Sequence, residues 1–440
     1  MRPVTVLILH PPLPDDATRP LRWLDAAREA IAQRHRAAFE AAGAEHVRIV
    51  SQPADETPFG ARIRALAREV VDGTPGGQRH GLVLIGSGAL PLARREDLAE
   101  YVRVGHGIPR GPAAIANSYY SADAVAVSDA AMLINVPDLP ADNALPRWLS
   151  ERAGVPVRDQ SSVSRLGIDI DSPLDVVLIA GDPSAPWVLG ELADEILAAC
   201  PALVEGLRGI AATLQDRRSE LLVAGRSSAR TLRWLEQHAA CRVRAFIEER
   251  GMRSSSPLAL GDLDDDRRDG PAVPAETLRF APPRSVLGLL LEESGPRLLT
   301  SLVAQLGDAA ILDTRVLLAH RFGLDETRWP PLADRLASDL LLPGDIDDPW
   351  LRQITRRALE HRAPILLGGH TLVGPGLPLI PGAVAWLDRP PGSPEPPPEP
   401  PAPVVRIEPQ VKADATAAPP KTAAPRTRAP KAAAKAKAPG

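Results

Sequence analysis

The chain has only two cysteines in 440 residues, Cys200 and Cys241. They lie far apart and match neither a zinc spacing nor a disulfide framework. They read as two buried thiols. Aromatic residues make up 3% of the chain and apolar residues 44%, so the cores must be built mainly from Leu, Val, Ile and Ala. No apolar run approaches the roughly 20 residues that a helix needs to cross a bilayer. The opening stretch Val4–Leu9 is short and lacks the longer apolar core and cleavage site of a signal peptide. A cytoplasmic protein with no membrane span is expected. Neither sign of charge dominates: 51 Lys and Arg face 55 Asp and Glu, for a formal net charge of −4. That argues against a nucleic-acid binder acting through the whole chain, although a local patch remains open.

What is present is an alternation of short apolar runs and longer amphipathic ones. Val4–Leu9 (VTVLIL) is continuous and β-branched, as in a strand buried on both faces of a parallel sheet. Helical spacing runs from Arg22 to Ala42 and stops at Gly43. Val47–Val50 and Gly81–Gly86 read as strands, and Phe59–Val71 and Arg94–Val104 as helices. Further strands are expected at Ala113–Ala116, Val125–Val127 and Met132–Asn135, and Val176–Ala180 suits a strand or a helix start. A second pattern begins near Leu203. Its strands are Glu220–Ala224, Arg242–Ile247, Ala310–Leu312 and Ile365–Leu367. Helices are expected at Ser228–His238, Val286–Leu306, Arg315–His320, Pro331–Leu340 and Trp350–His361, with a surface loop at Leu260–Pro274. The class is α/β, with a mostly parallel sheet in residues 1–200 and a second, Rossmann-like α/β module in residues 201–387. Residues 388–440 turn Pro-rich and then Ala/Lys/Pro-rich, a composition expected to be disordered. The basic end of this tail suits nucleic acid or an acidic protein partner.

Ligands of α/β sheets bind beyond the carboxyl ends of the strands. Two segments of the first module combine there. One is the loop Gly86-Ser87-Gly88-Ala89-Leu90-Pro91. The other is Gly167–Asp175, GIDIDSPLD, in which an extended backbone puts Asp169 and Asp171 on one face. Two adjacent carboxylates repel, and a Mg²⁺ ion bridging them would relieve this and meet a phosphate. The other reading is that these carboxylates cap the helix starting near Pro173. Asn117-Ser118-Tyr119-Tyr120-Ser121-Ala122-Asp123 is a dense polar-aromatic cluster after a strand, suited to reading a base or sugar or to closing a turn.

Together these segments resemble the nucleotide-diphospho-sugar transferase (GT-A-like) superfamily over roughly residues 1–200, nearest to compact nucleotidyltransferases of the molybdenum cofactor guanylyltransferase-like and phospholactate guanylyltransferase-like type. The resemblance rests on Asp169, Asp171, Ser172, Pro173 and Asp175, which match an Asp-x-Asp-[Thr/Ser]-Pro-x-Asp segment. It implies a three-layer sheet, a Mg²⁺ ion at Asp169 and Asp171, and a nucleotide or sugar phosphate held by Ser87, Gly88, Asn117, Tyr119 and Asp123. The chain departs from the family in two places. Gly88 stands where the family has its metal-binding Asp. Prolines 11, 12 and 14, which carry no N–H, stand in the family's nucleotide loop, with Arg19 and Arg22 as the nearest cations. Two functions follow: a Mg²⁺-dependent nucleotidyltransferase, or a non-catalytic sensor or scaffold descended from one. The second module carries no GxGxxG, P-loop or metal-ligand His pair. Its strand ends offer Gly225-Arg226-Ser227-Ser228, Asp313, Arg315 and His370, which converge on one pocket if the strands are parallel neighbours. Arg335 and Asp339 are spaced to pair along a helix.

Overall fold

The computed structural model describes all residues except 52–56, 75–77, 109, 140–143, 249–284, 324 and 391–440. The expected loop Leu260–Pro274 and nearly all of the expected tail lie outside the described residues. Those described belong to one compact unit, Met1–Pro398, built on two sheets.

The first sheet has six strands: β1 (Val4–Leu9), β2 (His46–Val50), β3 (Gly81–Gly86), β4 (Ala114–Ala116), β5 (Ala124–Val127) and β6 (Val157–Asp159). Their order is β2-β1-β3-β5-β4-β6, and only β5 runs antiparallel to its neighbours. The side-chain alternation of β1 explains the layering. Val4, Val6 and Ile8 pack with Phe39 of helix Arg19–Ala41 and Tyr101 of helix Arg95–Gly105. Leu7 points the other way, toward Ile63 and Leu66 of helix Phe59–Asp72. Both faces are covered, so the strand reads as unbroken apolar sequence. Gly81 is forced by this packing: a Cβ there would lie 2.2 Å from the Gly105 carbonyl oxygen.

The second sheet is wholly parallel. It consists of β7 (Glu220–Gly225), β8 (Arg242–Ile247), β9 (Ala309–Asp313) and β10 (Ile365–Gly368), in the order β10-β9-β7-β8. From β7 the chain passes to β8 on one side and then to β9 and β10 on the other. The order therefore reverses between β7 and β9, where a crevice opens at their carboxyl ends.

One continuous core joins the halves. It contains Trp23, Ala27 and Ile31 from the first helix, Ile168–Ala180, and the inward faces of β7, β9 and β10. Helix Pro173–Ile179 lies at its centre with all seven residues buried. Helices Trp187–Ala199 and Pro201–Gln215, bent by 105° at the Cys200–Pro201 junction, close it from outside. Among the described residues no single helix is long and apolar enough to cross a membrane.

Most expected elements lie within a few residues of their sequence positions, with three differences and one open choice resolved. Met132–Asn135 is not a strand. The Asp129 carboxylate accepts from the Ala131 N–H and starts a 3₁₀ turn over Ala130–Leu133 instead. Val176–Ala180, which suited a strand or a helix start, is the later part and C-cap of helix Pro173–Ile179, whose start is capped by Ser172 and Asp175. The long helix expected over Val286–Leu306 is two helices, Val286–Ser294 and Leu298–Leu306, broken where Gly295 takes φ +77° ahead of Pro296. Arg335 does not pair with Asp339. It reaches Glu326 at 3.0 Å, and Asp339 instead receives Arg315.

That last pair sits deep in the junction. Arg315 follows β9 and clasps Asp339, the last residue of helix Leu332–Asp339, with both guanidinium nitrogens, one of them at 2.7 Å. Burial pushes the Asp339 carboxyl up, and Arg315 draws it back toward ionisation. The two-pronged geometry is that of an ionised pair. Asp339→Ala strands the arginine and should cost about 3–5 kcal/mol in urea unfolding. Exchanging both partners for apolar residues, Arg315→Met with Asp339→Leu, should cost clearly less than that single change.

Candidate functional site

The carboxyl ends of both sheets face one cleft of about 600 Å³. From the first sheet come Asn117, Ser118 and Asp123, flanking β4 and β5, and Asp169. From the second come Ser228, Arg230 and Trp234, after β7, and His370, after β10.

Asp169 and Asp171 are placed by backbone pairing. Residue 169 forms an antiparallel bridge with Ala89, and the Ile170 N–H donates to the Gly88 carbonyl at 2.9 Å. The next turn is a capping box. Asp175 accepts from the N–H groups of Asp171 (2.9 Å) and Ser172 (2.8 Å), while Ser172 caps helix Pro173–Ile179. Capping thus falls to Ser172 and Asp175, and Asp169 and Asp171 are left to other partners. Asp169 accepts from the Thr371 hydroxyl at 3.0 Å, a link from the first sheet to the second. Asp171 is met by Arg28, whose guanidinium lies 3.0 Å from Oδ1 and also donates to the Ile170 carbonyl at 2.9 Å. Burial and the neighbouring Asp171 charge raise the Asp169 pKa well above the usual carboxylate range. The Asp171 side chain is 70% exposed, and the Arg28 guanidinium beside it holds its pKa down. The two carboxyls are thus driven apart in acidity, with Asp169 the weaker acid.

The place that the resemblance assigns to a metal is taken. A Cβ at Gly88 would lie 2.7 Å from the Ile170 oxygen and 3.2 Å from Arg28 Nε. Asp171 has a fixed cation and Asp169 accepts from Thr371. A divalent ion would have to settle beside the Arg28 guanidinium, whose charge opposes it, so this donor set does not fit Mg²⁺. Among the described residues no group of three or more His, Cys, Asp or Glu side chains is placed to hold a metal ion.

The remaining expected site residues divide. Ser87 is buried and bonds His10 Nδ1 at 3.1 Å, with His10 Nε2 3.4 Å from Asp25. Asn117 is a clamp: its oxygen accepts from the Asp123 and Ala124 N–H groups, and its nitrogen donates to Asp123 and to the Leu166 carbonyl. It fixes Asp123 at the cleft edge. The Tyr119 hydroxyl reaches Glu151 at 3.2 Å and its ring stands edge-on to Tyr120, so its known contacts are structural. Arg19 lies 4.6 Å over the Trp23 ring, and Arg22 bonds the Ala17 carbonyl. Arg28 is the cation that sequence reasoning missed. It lies on the helix one turn beyond Leu24, and only the fold brings it to Asp171.

The second module's strand ends meet one another, although of Arg226, Asp313, Arg315 and His370 only His370 lines the cleft. Asp313 receives Arg226 Nε at 2.6 Å and NH2 at 3.2 Å. Burial would raise the Asp313 pKa, but Arg226 and then Arg315 hold it below the usual value. Gly225 permits this approach. Its φ is +137°, and a Cβ there would lie 2.1 Å from the Asp313 Cβ. His370 Nδ1 lies 2.9 Å from the Arg226 carbonyl. Every cation in this network is an arginine, and the sequence has no lysine before Lys412. Guanidinium keeps its charge and its fork geometry on burial, whereas a buried ammonium readily gives up its proton.

Beneath the cleft, His35 Nε2 donates to the Ala89 carbonyl at 2.7 Å and steadies the loop that pairs with Asp169. Burial lowers its pKa to about 4, against its hydrogen bond to the Ala89 carbonyl, which favours protonation. A depressed histidine means that the unfolded chain binds more protons between pH 6.5 and 4. Its contribution is complete above pH 6.5 and is lost as pH falls toward 4, by ~3 kcal/mol. Urea unfolding at pH 7 and pH 4.5 should show this loss in the wild type, and a smaller loss in His35→Leu.

No protein-family model matches the chain, and no curated protein matches it in sequence.

Proposed function

We propose that the chain binds a nucleotide or a sugar phosphate in the cleft between its two sheets, as a nucleotidyltransferase-like protein whose carboxylates are served by arginine in place of a metal. The observation that carries this reading is the meeting of two carboxyl edges on one cleft of about 600 Å³, within the size range of small-molecule sites. Its two walls differ in chemistry. On the second-sheet side, helix Ala229–His238 turns its first residues to the cleft, with Arg230 beside them and Trp234 one turn further on. The N–H groups of a first helical turn and its partial positive charge suit a phosphate, and an indole suits a base or the apolar face of a sugar. On the first-sheet side, Ser118, Asp123 and Asp169 offer acceptors for hydroxyl groups. The second sheet then forms half of one site.

The Arg28–Asp171 pair favours the non-catalytic form of this reading, a sensor or scaffold descended from an enzyme. With the metal's place taken, no charge is supplied to a phosphoryl oxygen at Asp171. The Lys/Arg-rich tail is, on composition, the segment suited to nucleic acid or an acidic partner.

A ligand that binds only the folded chain raises its melting temperature. Thermal unfolding with GTP, UDP-glucose and glucose 1-phosphate, each with Mg²⁺ or with EDTA, tests the proposal. At least one probe should raise Tm by several degrees, and the shift should persist in EDTA. No shift with any probe would sink the reading. A shift abolished by EDTA and by Asp171→Ala would return a divalent cation to the site.

A further inference from the structure

His370 differs from the paired ionisable groups near it at the cleft. Arg226 is paired with Asp313, Arg315 with Asp339, and Asp171 with Arg28. Asp169 accepts from Thr371, the residue next to His370. The His370 ring lines the cleft, yet its one hydrogen bond among the described residues is from Nδ1 to the Arg226 carbonyl, at 2.9 Å.

That bond fixes the tautomer. A carbonyl oxygen can only accept, so Nδ1 carries the hydrogen. In the neutral ring Nε2 is then a bare acceptor. The ring is also held in orientation from behind. Arg226 is locked by two contacts from its guanidinium to Asp313, and Asp313 sits against Gly225, where no side chain fits. Gly369, just before the ring, brings the strand end close to Arg315: a Cβ there would lie 3.8 Å from Arg315 Nε. The charged groups around the ring are thus Arg226, Asp313 and Arg315 from the second sheet, with Asp171 from the first. Burial and Arg226 both oppose protonation of the ring.

We infer that His370 is a specificity-determining residue of the cleft, whose Nε2 accepts a hydrogen bond from a hydroxyl or N–H donor on the bound ligand. The inference rests on the phosphate-ligand reading above and adds to it a requirement at the other end of the ligand. A bare anion satisfies the helix turn at Ser228 but offers nothing to Nε2. A ligand with a donor satisfies both. The selective step is the unpaired acceptor itself: a ligand that enters without a donor leaves a desolvated lone pair facing it.

Two substitutions separate this role from a structural one. In His370→Asn the amide nitrogen takes the place of Nδ1 and keeps the bond to Arg226, but nothing reaches the position of Nε2. In His370→Gln the longer side chain places an amide oxygen near Nε2. Titration calorimetry would be run on the full chain with GTP, glucose 1-phosphate and sulfate, which has no donor, alongside Tm of each unliganded variant. We expect His370→Asn to weaken the donor-bearing probe at least tenfold, His370→Gln to recover most of that loss, and sulfate affinity and Tm to change little in either. A donor-bearing probe that binds His370→Asn as tightly as the wild type overturns the inference and leaves the phosphate-ligand reading standing. Equal weakening of sulfate and the donor-bearing probe also overturns it, because the loss is then structural. A wild type that binds neither GTP nor glucose 1-phosphate removes the inference, and the reading beneath it falls as well if UDP-glucose also leaves Tm unmoved.

Discussion

The buried clasp between Arg315 and Asp339 is the interaction on which the cleft depends. Removing two charges from water is costly, and the cost is offset only when geometry and further hydrogen bonds are good. Here Arg315 also bonds the Thr314 hydroxyl, at 2.8 Å, and Asp339 is bonded by Ser172. Ser172 caps the wholly buried helix Pro173–Ile179 and directly follows Asp171. One ion pair therefore fixes the start of that helix, the carboxylates before it, and the end of β9. An apolar contact can slide by a fraction of a residue at little cost. A two-pronged ion pair cannot, and this holds the end of β9 against helix Leu332–Asp339 on the second-sheet side of the opening, while the bond from Thr371 to Asp169 links that side to the first.

Much of the fold was legible because its signals are local. β1, β3, β7 and β9 are short apolar runs, and a strand covered on both faces needs no other mark. Gly43 announced a helix end through backbone chemistry, whereas the cap before Pro173, read as Asp169 or Asp171, belongs to Ser172 and Asp175. What was missed depended on distance or on weak signal. β6 has three residues, none fully buried, and so shows no periodicity. Met132–Asn135 is apolar enough for a strand, but Asp129 caps the chain into a turn first. Arg335 and Asp339 have the spacing of a helical pair, yet a partner from another element competes better because it binds through two nitrogens.

The site was legible in the same uneven way. The Asp169/Asp171 motif and the convergence of Asp313, Arg226 and His370 could be read from strand ends. Arg28 could not, since nothing in a helix of many arginines marks the one that faces inward. Its arrival changes the chemistry. A metal ion brings charge that can be exchanged, removed or shared with a phosphate. A guanidinium fixed by the Ile170 carbonyl brings charge that stays in place. Gly88 then reads as an accommodation: the Arg28 side chain runs through the space that a side chain at 88 would fill.

The arginine-only character of this interior reaches beyond the cleft. Because no lysine precedes Lys412, lysine acylation, lysine methylation and amine-directed cross-linking have no side-chain target in the first 411 residues. The arginine–carboxylate pairs around the cleft are thus out of reach of lysine chemistry. Any regulation of that kind is confined to the five lysines of residues 412–440, where it alters the basic end of the chain and leaves the cleft as it was.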